Sequence, residues 1–546
     1  MERRNFIKLS ATASFATLLP NEVFALLKSA GLSNCPNISN RKIVLIQLAG
    51  ANDGINTIVP ISQYDIYANL RPNIKLNNVG SPNGIINLDS TLPTDKQVGL
   101  HPSLTGFKAL YDSGFLRVIQ GVGYPQQDKS HFKSTDLWLM GGDGTQANNN
   151  IGSGWMGRFM ENYYQSLVND NYPLAIQLGS NDVSLGFHGV DEHDLSLNIS
   201  GQDPAGFYSI INGLGGVAPN IIPDSEYGDL MQYILNVNQA TNVYSQTITN
   251  AFNAGTNSVT YANTSLSNQL KSVAKFISGG LETKIYLVKI SGFDTHNLQV
   301  ESNTNNHLGI HANLLSELSG AIQSFINDLN NQNLGDDVMA VTFSEFGRKA
   351  AENGNLGTDH GEIAPMFVFG KGIQGGVSGN NVNLSEANAQ NNYQIYTVEH
   401  DYRRVFGTIL QDWLGVANQT LNLTFYDNTN NVGFSNQKIN PFIANGALVP
   451  ESCYSNALLS SNNYTADQNQ LIVFPNPASH FVNFNSKNEN IFSVEIFNVK
   501  GQSIKKINNP MVSNNFKIDV SNFAKGLYIL KVSTDVGAYS RKLMIE

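Results

Sequence analysis

Between Arg41 and Gly370 the sequence keeps returning to one pattern, an apolar run too continuous for a half-exposed strand and too short for most helices. The first, Ile43-Val44-Leu45-Ile46-Gln47-Leu48, is closed by Ala49-Gly50-Ala51-Asn52-Asp53-Gly54 and reads as a strand buried on both faces followed by a tight turn. Arg117 to Val122, Lys284 to Ile290, Asp337 to Phe343 and Met366 to Gly370 repeat it. Helical periodicity lies between the runs, most plainly at His311 to Leu329, where Leu314, Leu315, Leu318, Ile322, Phe325, Ile326 and Leu329 share one face. Strands alternating with helices imply an α/β fold, a mainly parallel sheet with helices on both faces.

In such a sheet the ligand site lies beyond the carboxyl ends of the strands. The polar clusters that follow the runs are therefore expected to converge on one rim: Asp53, Ser130-His131, Asp294-Thr295-His296, Ser344-Glu345-Phe346-Gly347-Arg348 and Thr358-Asp359-His360-Gly361. Carboxylates and imidazoles together suit zinc, with manganese or iron as alternatives, and these clusters could hold one ion or two.

Composition closes off other classes. Lys and Arg number 33 against 43 Asp and Glu, a formal charge of −10, so the chain lacks the basic footprint of a nucleic-acid binder. No apolar run reaches the ~20 residues of a membrane helix. Charged residues make up only 14%, which leaves a surface of uncharged polar side chains suited to an extracellular role. Two cysteines, Cys35 and Cys453, exclude a disulfide scaffold or Cys-rich zinc module; they bracket the central region, and either one bridge or two unrelated thiols is open.

Both ends read as addresses. Met1-Glu2-Arg3-Arg4-Asn5-Phe6-Ile7-Lys8, followed by a weakly apolar stretch from Leu9 to Leu19, resembles a twin-arginine export signal, with Val23-Phe24-Ala25 as a cleavage region. From Leu471 the chain turns to short strands broken by turns. Phe474-Pro475-Asn476-Pro477-Ala478, Val494 to Gly501, Gly526 to Val532 and the end Lys542-Leu543-Met544-Ile545-Glu546 resemble the C-terminal sorting domain of the type IX secretion system of Bacteroidetes, a small all-β sandwich. The expected organisation is a signal region at 1–30, a main domain at 38–449, a linker at 450–470 and the sorting domain at 471–546. The two export machineries are the implied partners, and the cell surface or the medium is the destination.

The main region carries Leu48 to Thr57, Leu100-His101-Pro102-Ser103-Leu104, Gly123-Tyr124-Pro125, Ser130-His131-Phe132, Gly154-Trp155-Met156-Gly157-Arg158, Gly292 to His296, Ser344 to Arg348 and Gly357 to Gly361, in that order. This series resembles the DUF1501 family of bacterial exported proteins, grouped with alkaline phosphatase-like and sulfatase-like hydrolases. The resemblance implies metal ligands at Asp53, Asp294, His296, Asp359 and His360, with Glu345 a ligand or the partner of one. It implies Ser130 as nucleophile at a helix start, with His131 and Arg348 in the catalytic set and Arg158 and Lys129 as further anion-binding candidates. Asp294 and His296 are two positions apart where the superfamily uses four, and a third histidine is missing; His311 is the first choice for it and His400 the second. The implied function is an exported metal-dependent hydrolase of anionic phosphate or sulfate esters; the alternative is a non-catalytic cell-surface binding protein. A metal-free serine hydrolase is disfavoured, since Asp128-Lys129-Ser130-His131-Phe132 is no nucleophile elbow.

Overall fold

The computed structural model describes residues 35–545 apart from 146–151, 168–170, 180–183, 191–195, 200–243, 427–437, 440, 459–470, 487–489, 499–502, 514 and 535–537. The expected signal region lies outside the described residues, as does the whole stretch 200–243. The described residues divide into two compact units, 35–458 and 471–545.

In the first unit the apolar runs become β1 (Lys42–Ala49), β5 (Leu116–Gly123), β8 (Ile285–Ser291), β9 (Val338–Phe343) and β10 (Ala364–Phe369). Shorter strands β6 (Ala175–Gln177), β7 (Ser196–Asn198), β11 (Gly376–Ser378) and β12 (His400–Asp401) extend the same sheet, while β2 (Ile58–Pro60), β3 (Ile86–Asn87) and β4 (Val98–Leu100) form a small side sheet. The main order is β11-β5-β10-β9-β1-β8-β6-β7, with β12 also beside β5. Every pairing is parallel except those of β10, which runs against both β5 and β9. The connection from β9 to β10 has no crossover helix, so the chain re-enters the sheet at the edge it has just left.

Alternate residues of β1 face two cores. Ile43 and Leu45 pack with α2 (His131–Met140) and α3 (Trp155–Tyr163); Val44, Ile46 and Leu48 pack with α1 (Thr105–Asp112), α4 (Ser265–Ser278) and α5 (Ile310–Asn331). Helices thus cover both faces, and the periodicity expected at His311 to Leu329 is α5.

Residues 450–458 are not linker. Val449 and Leu458 are buried, Ser455 bridges to Val416, and the Leu458 amide donates to the Tyr163 carbonyl at 2.7 Å. The run of Ser and Asn concealed a few apolar anchors that dock it. Cys453 lies here, bonded to Cys35 with Cα atoms 5.6 Å apart.

The second unit is a sandwich of two antiparallel sheets. One has the order β13 (Leu471–Phe474), β14 (Phe481–Ser486), β17 (Asn515–Asp519); the other has β16 (Ser503–Ser513), β15 (Ile491–Asn498), β18 (Gly526–Thr534), β19 (Ala538–Ile545). Val482 and Phe484 from one meet Val494, Ile496, Leu530 and Leu543 from the other. Among the described residues no helix is long and apolar enough to cross a membrane.

The disulfide closes nearly the whole first unit, a sequence separation of 418. Restricting the unfolded chain over that loop contributes on the order of 5 kcal/mol in the entropy model. Peptide mapping of unreduced, alkylated protein is expected to recover the Cys35–Cys453 pair, and Cys453→Ser is expected to lower the urea midpoint; both thiols alkylated before reduction would contradict this.

Candidate functional site

The carboxyl ends of β1, β5, β8 and β9 lie along one edge of the sheet. After β1 the chain turns at Gly50, whose φ is +113°; a Cβ there would stand 2.5 Å from the Asp294 amide nitrogen, so only glycine lets this turn press on the loop after β8.

Arg348, 3% exposed, ties these loops together. Its Nε donates to the Ala51 carbonyl at 2.7 Å and its Nη1 to the Thr358 carbonyl at 3.0 Å. Nη2 donates to the carbonyls of Gly50 (2.6 Å) and Phe293 (3.1 Å) and to Asp294 Oδ1 (2.6 Å). Burial works against the Asp294 charge, but the Arg348 hydrogen bond and charge outweigh it and hold the carboxyl at about 2.

Helix α2 delivers His131. Ser130 precedes it in extended conformation, and Gly141, left-handed at φ +72°, stops the helix. Ser134 Oγ (2.6 Å) and Trp138 Nε1 (2.9 Å) donate to the Glu345 carbonyl, which fixes the helix against the loop after β9.

Three imidazoles meet there. His360 Nε2 lies 3.1 Å from His131 Nε2 and 2.9 Å from His296 Nε2. Asp294 Oδ1 is 3.4 Å from the Nε2 of His131 and of His360 and 3.2 Å from that of His296. Each outer nitrogen has an acceptor: His131 Nδ1 meets Glu345 Oε1 at 2.7 Å, His360 Nδ1 meets the Lys129 carbonyl at 2.9 Å, and His296 Nδ1 meets Asp359 Oδ1 at 3.4 Å. Protons on the Nδ1 atoms leave three Nε2 lone pairs facing one another, an arrangement that needs a proton or a cation among them. Four ligands around an ion with bonds of ~2.0–2.1 Å stand ~3.3–3.4 Å apart. The triangle of His131, Asp294 and His360 has edges of 3.1, 3.4 and 3.4 Å, close to one face of that tetrahedron. His131 is pushed up by its hydrogen bond to Glu345, while burial, Arg348 and His131 push His360 down.

The structure redistributes several expected roles. The third imidazole beside His296 and His360 is that of His131, not of His311 or His400, the two expected candidates. Glu345, 2% exposed, stands behind the cluster and accepts from His131 and from the Gly50 amide at 2.8 Å. Asp359 likewise sits outside, its oxygens shared with Asn353 (3.2 Å) and Lys349 (3.2 Å). Asp53 is fully buried against Arg71: Oδ2 accepts from Arg71 Nη1 and Gln299 Nε2, both at 2.6 Å, and Oδ1 from Arg71 Nη2 at 3.0 Å. Burial opposes its charge, yet Arg71 lowers its pKa. Its Oδ1 also accepts from the Asn56 amide at 3.4 Å, so four donors surround the carboxylate. His311 is buried with Nε2 2.9 Å from Asn52 Oδ1, in this polar core and not in the cluster; burial pushes it down to about 4. His400 pairs with β5 through β12 and is not in the cluster. Arg348 and Arg158 spend their donors on backbone carbonyls and neighbouring side chains, and Lys129 pairs with Glu362 at 3.0 Å. Ser130 is exposed, and its hydroxyl has no partner among the described residues.

Beside the cluster a cleft of about 510 Å³ opens between α2 and the ends of β1, β8 and β6; Thr135 and Ser184 line it and Ser130 does not.

Fold and rim define an α/β protein with an imidazole–carboxylate centre at the carboxyl edge of its sheet. Residues 236–420 match the family model of a protein of unknown function, DUF1501, and residues 472–546 match that of the secretion system C-terminal sorting domain. The C-terminal match is an export address, and the chain's place is the cell surface or the medium. No curated protein sequence matches it. Similar solved structures include an alkaline phosphatase superfamily protein from Vibrio parahaemolyticus (10% identity, 93% of this chain and 83% of that one, TM-score 0.30). Another is the sulfatase PsFucS1 from Pseudoalteromonas sp. (12%, 93% and 87%, TM-score 0.27). A DUF3244 family protein with an immunoglobulin-like β-sandwich from Bacteroides vulgatus covers 14% of this chain and 87% of its own (17%, TM-score 0.11).

Asp53→Asn removes the countercharge of a fully buried guanidinium, a change that costs about 3–5 kcal/mol. It is expected to lower the urea midpoint strongly; a midpoint unchanged from wild type would show that the pair contributes nothing. The pH response follows from His311. Its folded pKa of about 4 lies below the unfolded value near 6.5, so its contribution is complete above the unfolded value and is lost as pH falls toward 4, by at most about 3 kcal/mol. Stability is expected to decline across that window and less steeply in His311→Asn; an equal slope in the variant would assign it elsewhere.

Proposed function

We propose that this chain is an exported metal-dependent hydrolase of phosphate or sulfate esters that holds one divalent ion, zinc before manganese or iron. The ligands are His131, His360 and Asp294, with His296 next to them. The observation that carries the reading is the tethering of all three Nδ1 atoms to outer acceptors, which aims the Nε2 atoms inward beside an anionic carboxylate. Ligating imidazoles are oriented by partners of this kind. A bound divalent ion supplies Lewis acidity to an ester oxygen and lowers the pKa of water.

One ion is favoured over two because the other carboxylates are committed, Asp53 to Arg71 and Gln299, Asp359 to Lys349 and Asn353. Within this reading the attacking oxygen comes from water. Ser130 Oγ has no base within hydrogen-bond reach among the described residues, so Ser130→Ala retains most activity. Glu345 and Asp359 hold imidazole orientation through His131 and His296. Twin-arginine transport across the inner membrane, followed by type IX export, fits a cargo that folds and takes up its ion first; the disulfide then forms in the oxidising envelope.

Elemental analysis of protein purified without chelator is expected to find one equivalent of zinc, manganese or iron. His360→Ala loses the ion, and Glu345→Gln weakens its binding about 10–100-fold. Chelation removes hydrolysis of 4-nitrophenyl phosphate or sulfate, and added metal restores it. Absence of metal after metal-replete expression would sink the reading.

A further inference from the structure

One fully buried amide, that of Gln299, joins three of the loops at the rim. Its Oε1 accepts from the Thr295 hydroxyl at 3.1 Å, in the loop after β8, and from the Thr358 hydroxyl at 2.9 Å, in the loop after β9. Its Nε2 donates to Asp53 Oδ2 at 2.6 Å, in the turn after β1. Backbone bonds frame the same point. The Gln299 amide donates to the Leu356 carbonyl at 2.9 Å, and the Thr358 amide to the Thr295 carbonyl at 3.2 Å.

The orientation of this side chain is fixed by charge. Arg71 keeps Asp53 ionised, and a carboxylate only accepts, so Gln299 turns its NH2 group to Asp53 and its oxygen to the threonines. Both hydroxyls therefore donate to the one oxygen.

Those threonines sit among the residues of the cluster. Thr295 stands between Asp294 and His296, and Thr358 is followed by Asp359 and His360. The threonines are buried, whereas the side chains of Asp294, His296 and Asp359 are 47, 44 and 43% exposed, so the inward member of each segment leaves its neighbours facing outward. The contacts that close the cluster on this side run between the two segments: His296 Nε2 to His360 Nε2 at 2.9 Å, and His296 Nδ1 to Asp359 Oδ1 at 3.4 Å.

We infer that Gln299 is a positioning residue for the metal centre. Its oxygen gathers the two threonine hydroxyls and so sets the separation of His296 from His360. Asp53 acts on the centre through Gln299, by fixing the orientation of the amide and not by ligation. The inference rests on the proposed function for what the cluster holds, but not for where its rings stand.

Replacing Gln299 itself would leave Asp53 and both threonines short of a buried partner and endanger the fold. The test therefore varies the threonines in the full-length protein. Thr295→Val and Thr358→Val keep the shape and lose the hydrogen bond; Thr295→Ser and Thr358→Ser keep the bond and lose a methyl group. Cobalt(II) is titrated into chelator-treated protein and followed by its visible absorption. The Val variants are expected to bind it about tenfold more weakly than wild type and with an altered spectrum, as loss of outer support for metal ligands implies, while the Ser variants stay near wild type. Wild-type affinity in both Val variants overturns the inference. So do Ser variants as weak as the Val variants, since packing would then be the cause. A wild type that takes up no cobalt sinks the proposed function, and the inference is then decided in the metal-free protein by the ring nitrogen shifts of His296 and His360. Shifts changed in the Val variants and restored in the Ser variants sustain it; shifts unchanged in the Val variants overturn it.

Discussion

Two buried guanidiniums hold the long loop from Ser344 to Ile363, and the site depends on that loop. It carries Glu345, Asp359 and His360, and its one regular pairing is an isolated bridge between Arg348 and His360, so many of its carbonyls take donors from side chains and from other loops. Buried carbonyls must find donors. Arg348 meets Thr358 from within the loop and then reaches Gly50, Ala51 and Phe293 across it. Arg71 meets Lys349 (2.8 Å) and Ala350 (2.8 Å) from the other side. A planar fork of five donors can serve several carbonyls in one plane, which a lysine cannot do.

The same guanidinium sets the electrostatics of the cluster. Arg348 keeps Asp294 ionised and helps keep His360 unprotonated, so an acceptor-rich centre sits beside a fixed positive charge. In the proposed reading the outer acceptors Glu345, Asp359 and the Lys129 carbonyl take the Nδ1 protons, so that neutral imidazoles offer their Nε2 lone pairs to an ion.

Much of this was legible in the residues. The apolar runs located the central strands and their polar endings located the rim, because a strand buried on both faces leaves few other readings. What could not be read was direction and depth. Nothing in Met366 to Gly370 says that β10 runs backwards; that follows from the course of a loop without regular structure. Asp53 and Asp294 look alike in sequence, each in a polar turn after a strand. One faces Arg71 in the interior and the other faces three imidazoles at the surface, and long-range packing alone decides which. Similarly, Ser455 to Leu458 reads as linker until Leu458 is seen buried beside Tyr163.

Asp53 and Arg71 also bear on why the proposed site is read as holding one ion. The family resemblance implies a metal ligand at Asp53, at the end of the first strand, and that carboxylate is completely enclosed. An enclosed carboxylate needs a cation with good geometry and further hydrogen bonds to make burial tolerable. Arg71 provides the charge through two nitrogens, Gln299 provides the additional donor, and the guanidinium's remaining donors go to Asn56 and to the loop carbonyls. A tethered cation therefore balances this carboxylate permanently, through bonds within the chain. The charge that organises the inner half of the rim is built into the chain, and in the proposed reading an ion completes the outer half, where His131, His296, His360 and Asp294 meet.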